Sequence, residues 1–133
     1  MKFLSEDKGA LTEHSMFFKG KAEKYTFPTP NGNLTLPVFL GPCKYMCDDR
    51  YYVASGFEKK DLLTLLAAFG KDKEIGQIMF DDDAGLYPLV KVGVFLKKNG
   101  LADAEKVCVK AFQDAEKKYT NEVRKKNNRY WGD

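Results

Sequence analysis

One histidine, three cysteines and one tryptophan in 133 residues leave little material for the commoner catalytic and metal-binding constellations. A two-histidine metal motif is excluded outright, and His14 is the sole imidazole that could activate a serine or cysteine nucleophile. It falls within residues 1–20, a polar and mixed stretch expected to form a loosely held N-terminal arm, so nucleophilic hydrolysis is not expected. No run of about 18 apolar residues occurs, which excludes a membrane-spanning helix; the longest apolar patch, Leu62 to Phe69, is interrupted by Thr64. The opening Met1-Lys2-Phe3-Leu4-Ser5-Glu6-Asp7-Lys8 turns charged before an apolar signal-peptide core can form, so export by that route is not expected. Gly93 and Gly100 stand isolated, and no glycine-rich loop leads into Lys-Ser or Lys-Thr, which removes the phosphate-cradling motif. The odd cysteine count, with no export signal, predicts reduced thiols in a cytoplasmic chain.

What is present is an ordinary globular composition, 44% hydrophobic and 31% charged, in a chain long enough for one domain with its own core over residues 1–133. Tyr25 and Phe27, then Leu34, Leu36, Val38 and Leu40, are spaced by two on either side of Pro28-Thr29-Pro30-Asn31-Gly32. This predicts a β-hairpin turning at Asn31-Gly32, two residues that tolerate positive φ. Pro37 cannot donate to a ladder, which places its strand at an edge or a bulge, and Arg50 to Ala54 is expected as a third strand. Ser55-Gly56-Phe57-Glu58 reads as a capping box opening a first helix. Leu62, Leu63, Leu65, Leu66 and Phe69 wrap more than one of its faces, which predicts a central buried helix ended by Gly70. Residues 73–98 carry both signals: Val90, Val92, Val94 and Leu96 alternate, while Pro88 and Asn99-Gly100 punctuate a helix, and helix is the reading adopted. Leu101, Ala104, Cys108, Ala111, Ala115 and Tyr119 recur at three or four and predict a long amphipathic helix to about Lys126. The fold class expected is α+β, an antiparallel hairpin or meander packed on a buried helix and a helical C-terminal half.

Two clusters invite a metal. Cys43 and Cys47 have a permissible zinc spacing, yet a closed site needs four ligands, and only His14 and Cys108 remain to complete it. Burial of Cys43 and Cys108 as small hydrophobes is the simpler expectation. Thiol redox chemistry needs two intervening residues rather than three, and Asp48 and Asp49 oppose any stabilisation of a thiolate by Lys44 and Arg50, so a turn into the third strand is expected there. Asp81, Asp82 and Asp83 are consecutive, lack the alternation of a calcium loop, and are expected in a solvated turn or at a helix N-terminus. No cofactor is expected.

Charge is segregated. Residues 117–131 hold Lys117, Lys118, Arg124, Lys125, Lys126 and Arg129 against Glu122, a local balance of plus five in a chain of net plus three, so the remainder is net negative. Tyr119, Tyr130 and Trp131 interleave with those cations. The expectation is a partner-binding patch of Tyr119, Arg124, Lys125, Lys126, Arg129, Tyr130 and Trp131, built from residue types that carry binding energy. The expected partner is an acidic macromolecule, protein rather than nucleic acid, and not a membrane. The expected role is that of a small non-catalytic binding protein of the inhibitor, immunity or regulatory-adaptor type. A nucleic-acid-binding accessory protein is the second reading, on the strength of cations and stacking rings, and an enzyme or small-ligand binder with a pocket hidden from sequence is the third.

Overall fold

The computed structural model of the chain describes residues 21–44, 50–78 and 86–130, the side chains of 44, 129 and 130 aside. The N-terminal arm with His14, the Cys47-Asp48-Asp49 corner, Asp81 to Asp83 and Trp131 lie outside the described residues. An antiparallel sheet in the order β1-β2-β3-β4 shares its core with helices, an α+β architecture. The strands are β1 (Lys21–Thr29), β2 (Gly32–Lys44), β3 (Tyr51–Phe57) and β4 (Tyr87–Pro88), and the helices are α1 (Lys59–Ala68), α2 (Leu89–Lys98) and α3 (Ala102–Tyr130), with a 3-10 turn at Asp72–Gln77.

The hairpin forms where the alternation places it, but its turn is shifted by one residue. Thr29 pairs with Gly32, so Pro30 and Asn31 occupy the two central positions, and Gly32 alone takes a positive φ, +106°. Pro30 dictates this: its ring fixes φ near −65°, the value wanted at the first central position of an ordinary turn. The Thr29 hydroxyl accepts from the Asn31 N–H at 3.2 Å and donates to the Gly32 carbonyl at 2.6 Å, closing the loop. Pro37 stands opposite Lys24 in the half of β2 that, among the described residues, has β1 as its only strand partner, while β3 pairs from Phe39 to Lys44. The missing N–H therefore disrupts no second ladder.

Two expectations need correction around residue 55. The capping box does not form, because Ser55 pairs with Leu40, Gly56 with both Phe39 and Pro88, and Phe57 with Tyr87, so β3 continues to Phe57. The Phe57 ring is fully buried with its centroid 5.7 Å from that of Phe27, and this burial outweighs the local capping preference. Helix α1 starts after Glu58, which makes no side-chain cap; its carbonyl accepts from the N–H groups of Asp61 and Leu62. Nor is α1 buried all round: Leu62, Leu65 and Leu66 face the core, Leu63 is half-buried, and Thr64 and Ala67 are exposed. Gly70 does adopt the left-handed conformation that ends the helix.

Within residues 73–98 the helical reading holds for Leu89–Lys98, entered from Pro88. Leu89, Val92, Phe95 and Leu96 turn inward at helical spacing, so the alternation of valines is incidental. Helix α3 presents Ala104, Cys108, Ala111 and Ala115 to the core, small side chains that let a 29-residue helix lie close against β1, β2 and β3. No helix of the described residues is long and apolar enough to cross a membrane.

Candidate functional site

The two described cysteines, Cys43 and Cys108, lie apart in separate buried clusters. Cys108 is in the main core on the inner face of the sheet, whereas Cys43, two residues in phase with Phe39 and Gly41, joins Ala54 and Leu86 in a smaller cluster on the other face. Both are fully buried, and burial pushes the Cys43 thiol up to about 11 and the Cys108 thiol higher still, opposite to what a nucleophile or metal ligand requires. Among the described residues no group of three or more His, Cys, Asp or Glu gathers. Two open grooves flank the hairpin tip. One, of about 260 Å³, lies among Pro28, Pro30, Phe69 and Leu101 with Asp103 as its only ionisable lining residue. The other, between the tip and α1, is lined by Thr29, Asn31, Leu34 and Thr64 and has no ionisable lining residue.

The basic helix is built differently. Its inner face is anchored to the sheet along its length by three polar contacts. The Tyr25 hydroxyl donates to Asp114 Oδ2 at 2.7 Å, Lys118 Nζ bridges both Glu23 oxygens, and the Asn127 amide exchanges hydrogen bonds with the Tyr51 backbone. Burial pushes the Asp114 carboxyl up, but hydrogen bonds from Tyr25 and Lys110 and the charges of Lys110 and Lys118 outweigh it, so the net direction is down. Tyr25 moves the opposite way, raised by burial and by the carboxylate it donates to. The Lys118 ammonium is held charged by its hydrogen bonds to Glu23, which outweigh desolvation.

These anchors sort the residues of the sequence patch. Tyr119 is half-buried and packs against the core, so much of its ring is committed to internal packing. Lys126 lies 5.0 Å from the centroid of the Tyr51 ring, a cation–π contact within the protein. Arg124 and Lys125 are exposed. Arg129 and Tyr130 continue the helical backbone, and their side chains, like all of Trp131, are outside what is described.

Sequence reasoning stopped short of the N-terminal half of the same face. Lys106, Lys110, Lys117 and Arg124 are all exposed and follow one another at four, seven and seven residues, a ridge about 27 Å long on the solvent side of α3. Lys110 pairs with Asp114 at 3.1 Å. Among the described residues no carboxylate lies within ion-pair distance of Lys106, Lys117, Arg124 or Lys125. The heptad spacing of Lys110, Lys117 and Arg124 marks this face in the sequence, a signal that the net charge of residues 117–131 does not carry. No family model, curated protein or solved structure matches the chain.

Proposed function

We propose that this is a non-catalytic binding protein whose long C-terminal helix docks an acidic protein partner through its outer ridge. The observation that carries the reading is the contrast between the helix's two sides. Lys118 and Lys126 are engaged with the protein's own groups, whereas Lys106, Lys117, Arg124 and Lys125 project from the helix with no carboxylate within ion-pair distance among the described residues. A helix already fixed on the sheet loses little backbone freedom when a complementary surface arrives, and the field of its cations favours encounter with an acidic partner.

Protein is favoured over nucleic acid because, among the described side chains, the ring set between these cations, Tyr119, is packed against the core instead of standing free to stack on a base. The test is titration of the protein with poly-L-glutamate and, separately, with a single-stranded DNA oligonucleotide of matched charge, at low and physiological salt. The reading expects saturable polyglutamate binding that weakens with salt. Tighter binding of the oligonucleotide than of polyglutamate would transfer the function to nucleic acid.

A further inference from the structure

Strand β1 is an edge strand nine residues long, and no strand of the described residues pairs with its outer side. A run of this length with unpaired backbone groups is a template for another strand unless something blunts it. The direction of those groups follows from the pairing. Pro37 has no N–H and stands opposite Lys24, which suits a pair that exchanges no hydrogen bonds, and by alternation the backbone groups of Ala22, Lys24 and Thr26 then point away from β2. Ala22, Lys24, Thr26 and Pro28 are all exposed. Proline at 28 removes one donor at the tip end and leaves the remainder of the edge intact.

The charges beside this edge select the occupant. Lys21 and Lys24 are exposed on the strand itself, and on the helix side the edge is bordered by Lys110 and Lys118, with 69% and 48% of their side chains accessible. Glu23 and Asp114 are the carboxylates at this border, and each is already bridged to a lysine. Two copies of β1 paired antiparallel about Lys24, the register that uses all of Ala22, Lys24 and Thr26, would set Lys24 against Lys24, whereas an extended acidic chain would meet a cation on either side. We propose that the outer edge of β1 accepts an extended acidic segment of the partner as a fifth antiparallel or parallel strand, with main-chain hydrogen bonds holding it and the flanking lysines reading its charge. This rests on the acidic-partner reading above and specifies the conformation in which part of that partner is bound.

The probe is a labelled ten-residue peptide of alternating Glu and Val, compared with two versions N-methylated on alternate residues, one in each phase, and with a Lys-Val peptide. Binding is read by fluorescence anisotropy on the full chain. A strand has a bonding edge and a free edge, so methylation in one phase weakens binding about tenfold or more while the other phase binds as the parent does. Thr26→Pro, with its fold checked by circular dichroism, weakens the parent peptide in the same direction. Equal binding of both methylated phases, equal binding of the Lys-Val peptide, or no binding of the Glu-Val peptide overturns the proposal, as does concentration-dependent self-association abolished by Thr26→Pro. Polyglutamate binding measured alongside keeps the two readings apart: if it persists while the methylated phases are indistinguishable, the ridge stands and the edge falls.

Discussion

Asn127, in the last turns of helix α3, accepts a hydrogen bond from the Tyr51 N–H at 2.7 Å and donates one to the Tyr51 carbonyl at 3.0 Å. A side-chain amide thus supplies a two-bond ladder step at the entry of β3 and ties the basic end of the helix to the sheet. Replacing Asn127 by Ala leaves both half-buried backbone groups without that partner, and should cost about 1–2 kcal/mol in chemical denaturation. Amide exchange at Tyr51 is expected to accelerate. An unchanged exchange rate would mean the contact holds nothing in place.

Gly56 supports a second prediction. A β-carbon built there would sit 2.6 Å from the Tyr87 carbonyl oxygen, with the Tyr87 backbone carbon at 3.1 Å, so backbone rather than a mobile side chain fills the space. The β3–β4 pairing is only two residues long and cannot yield without being lost. Gly56→Ala is expected to destabilise the fold by about 1–3 kcal/mol, comparable to overpacking a core, in thermal or denaturant unfolding. A variant of wild-type stability would show that β4 is dispensable.

Two carboxylates, half-buried Asp114 and buried Asp61, bend the stability curve in opposite senses. Asp114 is held below its ordinary range, so its contribution is complete above the unfolded value near about pH 4 and is lost as pH falls through the lower folded value. Asp61 is buried with Oδ2 lacking a hydrogen-bond partner among the described residues, and burial raises it, helped by Glu58 and opposed by Lys60. The folded state then binds its proton more tightly than the unfolded, so Asp61 subtracts stability as pH rises from about 4 toward neutrality. Denaturation across about pH 3 to 7, roughly the span of these carboxyl titrations, should show Tyr25→Phe flattening the loss on the acid side, because a hydrogen bond that holds Asp114 down is gone. Asp61→Asn should remove the decline toward neutral pH. Identical pH profiles for wild type and Asp61→Asn would contradict the second assignment.

The hairpin and the long helix were legible because each rests on a periodicity that local residues carry by themselves: two-residue spacing from Leu34 to Leu40, and the small-residue stripe from Ala104 to Ala115. The start of α1 was not, because Ser55 to Glu58 satisfies a local capping pattern while strand pairing with Leu40, Phe39 and Tyr87 overrides it. The candidate site was legible only as composition. Which cations remain unpaired depends on Glu23 meeting Lys118 across 95 residues and on Tyr51 lying under Lys126, and no local pattern encodes either meeting.

The account turns on position, not on total charge, so the most direct measurement compares two triple reversals in polyglutamate affinity at fixed salt. One variant carries Lys106→Glu, Lys117→Glu and Arg124→Glu on the ridge, and the other Lys59→Glu, Lys60→Glu and Lys73→Glu at exposed sites elsewhere. The ridge variant is expected to lose at least about tenfold in affinity, and the second variant to change by less than about threefold, since each fully exposed charge is screened over roughly 10 Å. Equal losses in the two variants would mean that net charge alone governs binding, and the ridge would have no special role.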